Sequence, residues 1–306
     1  MNTLRQKDTL RALTFRPITE ADYGRIAHYM ELTDSQTCDY TLGGVVLWAD
    51  FFNYQIAEAD DTLFIRGGRE DDLRIPAYSL PLGGGDFSGA IDYLRATSGS
   101  PIWFSAIPED RLHLFTEAGC AVSPLGPEWS DYLYDINSFV TLAGNAMKKK
   151  RNHVNRFKAD NPKARMEDMT PENARLCLQL LASLGNDGSP TGRAEQLAVA
   201  RMLIHWRNFA PYFRGGVLKM ADGEIAGFTV GEIKHDTLHV HVEKANHTIA
   251  GSGETLAHLF AARMKELYPR LAYANRQDDA GSEALRAAKE SWRPLRLLPK
   301  FNVYVR

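Results

Sequence analysis

In Thr237–Glu243, TLHVHVE, two histidines and a glutamate alternate with Leu238, Val240 and Val242. Read as a strand of period two, this stretch puts Thr237, His239, His241 and Glu243 on one face. Such a row can supply a general base, since imidazole titrates near neutral pH and can take the proton of an attacking amine or hydroxyl. His241 and Glu243 are the candidate catalytic pair; the competing reading is a face that is simply wet. A His-x-His metal site would need a third ligand that nothing indicates, so no metal is expected. Further on, NRQDD follows the strand-like LAYAN and delivers Asn275, Arg276, Asp278 and Asp279 to a strand-to-helix loop. Arg276 suits a carboxylate or phosphate clamp and Asp278 a substrate amine, while Asp279 or Ser282 could equally be a helix cap. The third constellation is Lys148–Lys158, with six Lys/Arg in eleven residues. Lys149, Lys150, Arg151, Asn152 and Arg156 offer the cationic and amide donors that phosphate oxygens accept. The alternative is a solvated helix face.

These residues need elements to hold them. A helix over 138–161 is expected for the basic stretch, capped by Asn137 or Ser138 and ended by Pro162. Its apolar stripe of Val140, Ala143, Met147, Val154 and Phe157 is interrupted by Lys150 and Arg151, so at least one cation is expected on the core side. Thr170 and Pro171 open a helix at PENARLCLQLLASLG. GVLKMADGEIAGFTVGEI and DTLHVHVEKA read as consecutive strands, GETLAHLFAARMKELY and SEALRAAKESW as helices, and KFNVYVR as a last strand whose Lys300 could face the same cleft. The first half shows a similar alternation, from LTFRPIT with Thr19 as a cap, through TLFIRGG and PIWFSAI, to DYLYDI as its closing strand. Two α/β domains are expected, 1–137 and 138–306.

Composition sets the outer bounds. The chain of 306 residues is 44% hydrophobic and 24% charged, ordinary for a globular protein. Three scattered cysteines argue for a reducing compartment rather than a disulfide framework. The N-terminus lacks an apolar leader, and the apolar YTLGGVVLWA is too short to span a bilayer, so a cytoplasmic protein without membrane insertion is expected. Residues 1–140 hold 10 Lys/Arg and 21 Asp/Glu, whereas 141–306 hold 26 and 17. A basic second half suits an anionic partner, or docking of the acidic half.

Lys148–His153, continuing through Asn155-Arg156-Phe157, resembles the K-K-R-N-H-I-N-R-F signature of proteins related to the C-terminal domain of phosphatidylglycerol lysyltransferase. Asn275–Asp279 resembles that family's N-R-E-D-D, with Gln277 in place of the acid, and Val240–Ala245 resembles its V-H-F-E-K-A. The resemblance implies an α/β (α+β) fold of two tandem acetyltransferase-like (GNAT) domains, each a mixed sheet flanked by helices. It also implies kinship with enzymes that move aminoacyl groups from tRNA. In acetyltransferases, R/Q-x-x-G-x-G/A at a helix N-terminus holds the pyrophosphate of coenzyme A on backbone N–H groups. Here Gly251 and Gly253 have the right spacing, with Thr248 where Arg or Gln is usual. The expected function is acyl or aminoacyl transfer, with aminoacyl-tRNA as donor, no further cofactor, and a small-molecule or peptide acceptor. The alternatives are an acyl-CoA-dependent N-acyltransferase and a non-catalytic binder of RNA or an acidic partner.

Overall fold

The computed structural model describes residues 13–83, 86–98 and 101–305. The N-terminal stretch read above for a leader therefore falls largely outside the described residues. The chain forms two compact units, Met1–Ser130 with Leu298–Arg306, and Asp131–Leu297.

The first unit is built on an eight-stranded sheet. In chain order its strands are β1 (Arg16–Pro17), β2 (Gln55–Ala59), β3 (Thr62–Arg69), β4 (Asp72–Tyr78), β5 (Leu82–Gly83), β6 (Ile102–Pro108) and β7 (Ala121–Pro124). The eighth strand, Lys300–Val305, comes from the C-terminus and lies antiparallel between β6 and β7. All neighbours are antiparallel except β4 and β6. Thr19 caps a short turn at Glu20–Asp22 that leads into the helix Tyr23–Glu31, where Asp22 returns a bond to the Thr19 amide. Within YTLGGVVLWA the longest element is the five-residue helix Leu42–Val46. Among the described residues no helix is long and apolar enough to cross a membrane.

The second unit holds a seven-stranded mixed sheet. Its strands are β8 (Asp131–Asp135), β9 (Arg165–Asp168), β10 (Phe213–Lys219), β11 (Ile225–Lys234), β12 (Thr237–Ala245), β13 (Tyr273–Asn275) and β14 (Arg296–Leu298), in the order β14-β8-β13-β12-β11-β10-β9. DYLYDI thus opens the second unit instead of closing the first. The division falls after Ser130, earlier than the expected 137, because β8 pairs with β13. Lys300 also departs from expectation. It begins the strand that completes the first unit's sheet, and its Nζ lies 2.8 Å from Asp39 Oδ2.

The single helix expected over 138–161 is two helices, Ile136–Thr141 and Lys148–Asp160. Asp135, not Asn137 or Ser138, caps the first by accepting from the Asn137 amide. The break comes from Leu142 and Gly144, both left-handed at φ 50° and 79°, a conformation that a continuing helix cannot use. Arg151 then reaches back to the carbonyls of Leu142 and Gly144. The expected stripe survives in part: Met147, Val154 and Phe157 are buried, whereas Ala143 is exposed. The Thr170–Pro171 start is present as expected, with Thr170 Oγ1 accepting from Asn173 and Asn173 Oδ1 accepting from Thr170.

Two features of this sheet position the site. The parallel pairing of β12 with β13 covers only Thr237–His239 against Tyr273–Asn275. The rest of β12 continues to Ala245 without β13 beside it, which opens a gap at the strand ends. The helix Ser252–Leu267 covers the sheet there, burying Leu256, Ala257, Phe260, Ala261 and Met264. Truncating a side chain such as Phe260 in this core would cost about 3–5 kcal/mol.

Candidate active site

A cleft of about 450 Å³ lies in the second unit at that gap. The basic helix contributes Lys150, His153 and Arg156, β12 contributes Glu243, the β12–helix turn contributes His247 and Gly251–Glu254, and the loop after β13 contributes Arg276. Trp292 closes one side. The volume is within the range of small-molecule sites.

Two charged assemblies face each other in it. In the first, Arg276 donates to Glu243 Oε1 at 2.6 Å, with both side chains largely buried. Trp292 and Phe139 stack at 4.4 Å, and the Arg276 guanidinium lies 5.7 Å and 5.6 Å from their ring centres. In the second, Glu254 Oε1 takes a hydrogen bond from His153 Nδ1 at 3.0 Å and an ion pair from Lys150 Nζ at 3.5 Å. Lys150 also rests over Trp292 at 4.7 Å. Burial depresses the Lys150 ammonium's pKa, Glu254 partly restores it, and the positive charge of Arg276 lowers it further. Burial works against the Glu254 charge, but His153, the residue's own first-turn amide and Lys150 outweigh it and hold this carboxyl below its usual range. Lys150 is thus the cation that the sequence placed against the core.

A bulge divides the expected histidine row. Val230 of β11 faces Val242, but Gly231 faces Val240, leaving His241 unpaired between them. An extra residue on one strand inverts the alternation beyond it. Glu243 consequently shares the cleft side with Leu238 and Val240. His241 lies on the reverse side beside His239, between Glu232 Oε2 and Gln277 Nε2, each 3.1 Å from a ring nitrogen. His241 and Glu243 are therefore not a catalytic pair. His239 is buried with neither ring nitrogen partnered.

Other candidates separate in the same way. Lys149 and Asn152 are exposed on the basic helix outside the cleft lining, and Arg151 serves the helix break. Thr248 is exposed, donates to Asn246 Oδ1 and lies outside the cleft lining. Asn275 is buried against Asp131 at 2.7 Å. Asp279 is buried under Tyr132 at 2.7 Å and a two-pronged Arg286 contact. Asp278 takes the Ala280 amide at 3.1 Å, outside the cleft lining. Ser282, not Asp279, caps the helix Glu283–Glu290 by accepting from the Leu285 amide, while Asp279 accepts the Gly281 amide in the loop before it. Of NRQDD, Arg276 lines the cleft.

Gly251 has a specific reason to be glycine. It caps the helix Ser252–Leu267 at φ 79°, and a Cβ there would lie 2.6 Å from the His153 carbonyl oxygen. The missing side chain lets the basic helix pass against this helix start and brings His153 to Glu254. At Gly253 a Cβ would meet only Ala245 Cβ, at an ordinary 3.7 Å. Sequence reasoning passed over His153, Glu254, His247 and Trp292 as site residues. The signal available for one of them was spacing, since Lys150 and His153 are three apart on one helix face.

The mixed sheet with its diverging parallel strands, and a cleft where helix N-terminus, cations and carboxylates meet, define an α/β protein of GNAT-like fold. The chain belongs to the phosphatidylglycerol lysyltransferase C-terminal family, whose model matches residues 30–304. A conserved protein of unknown function from Bacteroides thetaiotaomicron is similar at 28% identity and a TM-score of 0.83, over 96% of this chain and 100% of that one. L-PGS from Bacillus licheniformis has the same fold at 14% identity and a TM-score of 0.66, over 92% and 91% of the two chains. An uncharacterized protein of Mycoplasmoides gallisepticum, MYCGA3080, is 25% identical over 182 residues, 58% of this chain. The match spans 56%, about half, of that curated relative's length.

Proposed function

We propose that the protein is an acyl or aminoacyl transferase whose site is the cleft of the second unit, with aminoacyl-tRNA as the donor. The observation that carries this reading is the meeting of Lys150, Arg156 and Arg276 with the start of the helix Ser252–Leu267 in one cleft. First-turn amides of a helix have no intrahelical acceptor, so that of Gly253 can polarise a reacting carbonyl oxygen. The exposed Lys148 and Lys149 beside the cleft suit the backbone of a long polyanion. The family's name supports lysyl transfer as the chemistry. Glu243, fixed by Arg276, can hold the ammonium of a small-molecule or peptide acceptor. The acceptor nitrogen or oxygen attacks the ester carbonyl, and the tRNA 3′-oxygen leaves.

The test is binding of charged and uncharged tRNA at low and moderate salt, with acetyl-CoA as competitor. Charged-tRNA binding that weakens steeply with salt and is indifferent to acetyl-CoA is expected. Displacement by acetyl-CoA, or no tRNA binding, would transfer the cleft to acyl-CoA chemistry or to none.

A further inference from the structure

Acyl transfer of this kind needs a group that removes a proton from the attacking acceptor, and the bulge has turned His241 away from the cleft. We propose that His153, held by Glu254 and Lys150, is the general base of this cleft. The inference rests on the transferase reading above.

The geometry is that of an oriented imidazole. Glu254 at the helix start accepts from His153 Nδ1 at 3.0 Å. A carboxylate can only accept, so the proton sits on Nδ1 and the Nε2 lone pair is left to act as acceptor. Two-fifths of the His153 side chain is exposed, against one-fifth of Glu254. The base thus meets substrate while its orienting carboxylate stays shielded. Lys150 pins the same oxygen, Oε1, and Trp292 beneath it fixes the ammonium. Gly251 permits the approach of the two helices that creates the arrangement. Glu243 is less suited to the task, because Arg276 occupies its carboxylate at 2.6 Å. The charged and titratable groups facing His153 across the cleft are Lys150, Arg156, Glu243, His247, Glu254 and Arg276.

In the step, the acceptor nitrogen or oxygen forms a bond to the donor carbonyl carbon and passes its proton to His153 Nε2. Collapse of the tetrahedral intermediate breaks the bond from carbon to the tRNA 3′-oxygen, and that oxygen takes the proton from Nε2. The base ends as it began, and no oxidant, reductant or metal enters.

Two measurements on the full chain decide it. Long-range proton–nitrogen spectra of the histidine rings should show neutral His153 protonated on Nδ1, with this preference lost in Glu254→Ala; a wild-type ring protonated on Nε2 overturns the proposal. The second is transfer from lysyl-tRNA to glycinamide as acceptor. His153→Gln should slow transfer by about 100-fold or more while lysyl-tRNA affinity stays within about twofold of wild type. Wild-type transfer that His153→Gln retains within about threefold, far short of a general base's usual contribution, overturns the base but leaves the transferase reading standing. A wild-type protein that transfers nothing overturns both.

Discussion

His241 and Glu243 stand two residues apart on one strand and face opposite sides of the sheet. The adjacent residues Arg276 and Gln277 follow the same division: Arg276 meets Glu243 at 2.6 Å in the cleft, and Gln277 meets His241 at 3.1 Å behind it. The loop after β13 is thereby gripped from both faces. Glu243→Ala should remove the cleft-side grip and leave a largely buried guanidinium without its carboxylate, at a cost of about 2 kcal/mol. Urea unfolding of the second unit's transition would read this directly. A loss below about 0.5 kcal/mol, the range of ordinary surface substitutions, would mean that the pair does not form in solution.

Gly251 and Gly253 make opposite predictions although both belong to one glycine motif. Gly251→Ala must adopt φ near 79° and force its methyl against the His153 carbonyl, so a destabilisation of about 2 kcal/mol or more is expected. Gly253→Ala gains helix propensity without a clash and should be neutral or stabilising, by up to about 1 kcal/mol. Thermal unfolding of the two variants side by side checks the contrast. Equal effects would remove the packing explanation for Gly251.

Local signals carried well through this chain, whereas signals that depend on a neighbour did not. Thr170, Pro171 and Asn173 specify a helix start with their own side chains, and the alternation in Thr237–Val240 reads correctly as a strand. The bulge at His241 depends on the register of β11, which lies in a different part of the sequence. The helix break rests on Leu142, which favours no left-handed conformation by itself and is stabilised there by Arg151. Return of the C-terminal strand to the first unit is a choice of topology that its alternating pattern cannot encode. The His153–Glu254 contact joins two helices distant in sequence and becomes visible only once Gly251 brings them together.

The basic helix should divide into structural and binding cations. Arg151→Ala leaves the Leu142 and Gly144 carbonyls without their donor, costing about 1–2 kcal/mol in denaturant unfolding. Lys149 is exposed; its replacement by Ala should change stability by no more than about 0.5 kcal/mol. Under the transferase reading that same change should weaken tRNA binding and reduce the salt slope by about 1. Unaltered salt dependence in Lys149→Ala would take this residue out of the donor-binding surface.

His239 should make stability depend on pH. Burial lowers its folded pKa from 6.5 to about 3, with the neighbouring His241 adding to the effect. Between those two values the unfolded chain binds a proton that the folded chain refuses. The contribution is therefore complete above the unfolded pKa and is lost as pH falls through the window, with a slope of at most about 1.4 kcal/mol per pH unit. His258, half-buried and also shifted down by burial, acts in the same direction, so the His239 share is the difference between wild type and His239→Leu. Urea unfolding from pH 7 to 5, above the range where most carboxylates titrate, isolates it. The variant should lose less stability on acidification than the wild type, and parallel pH curves for the two would show that His239 can be protonated within the fold.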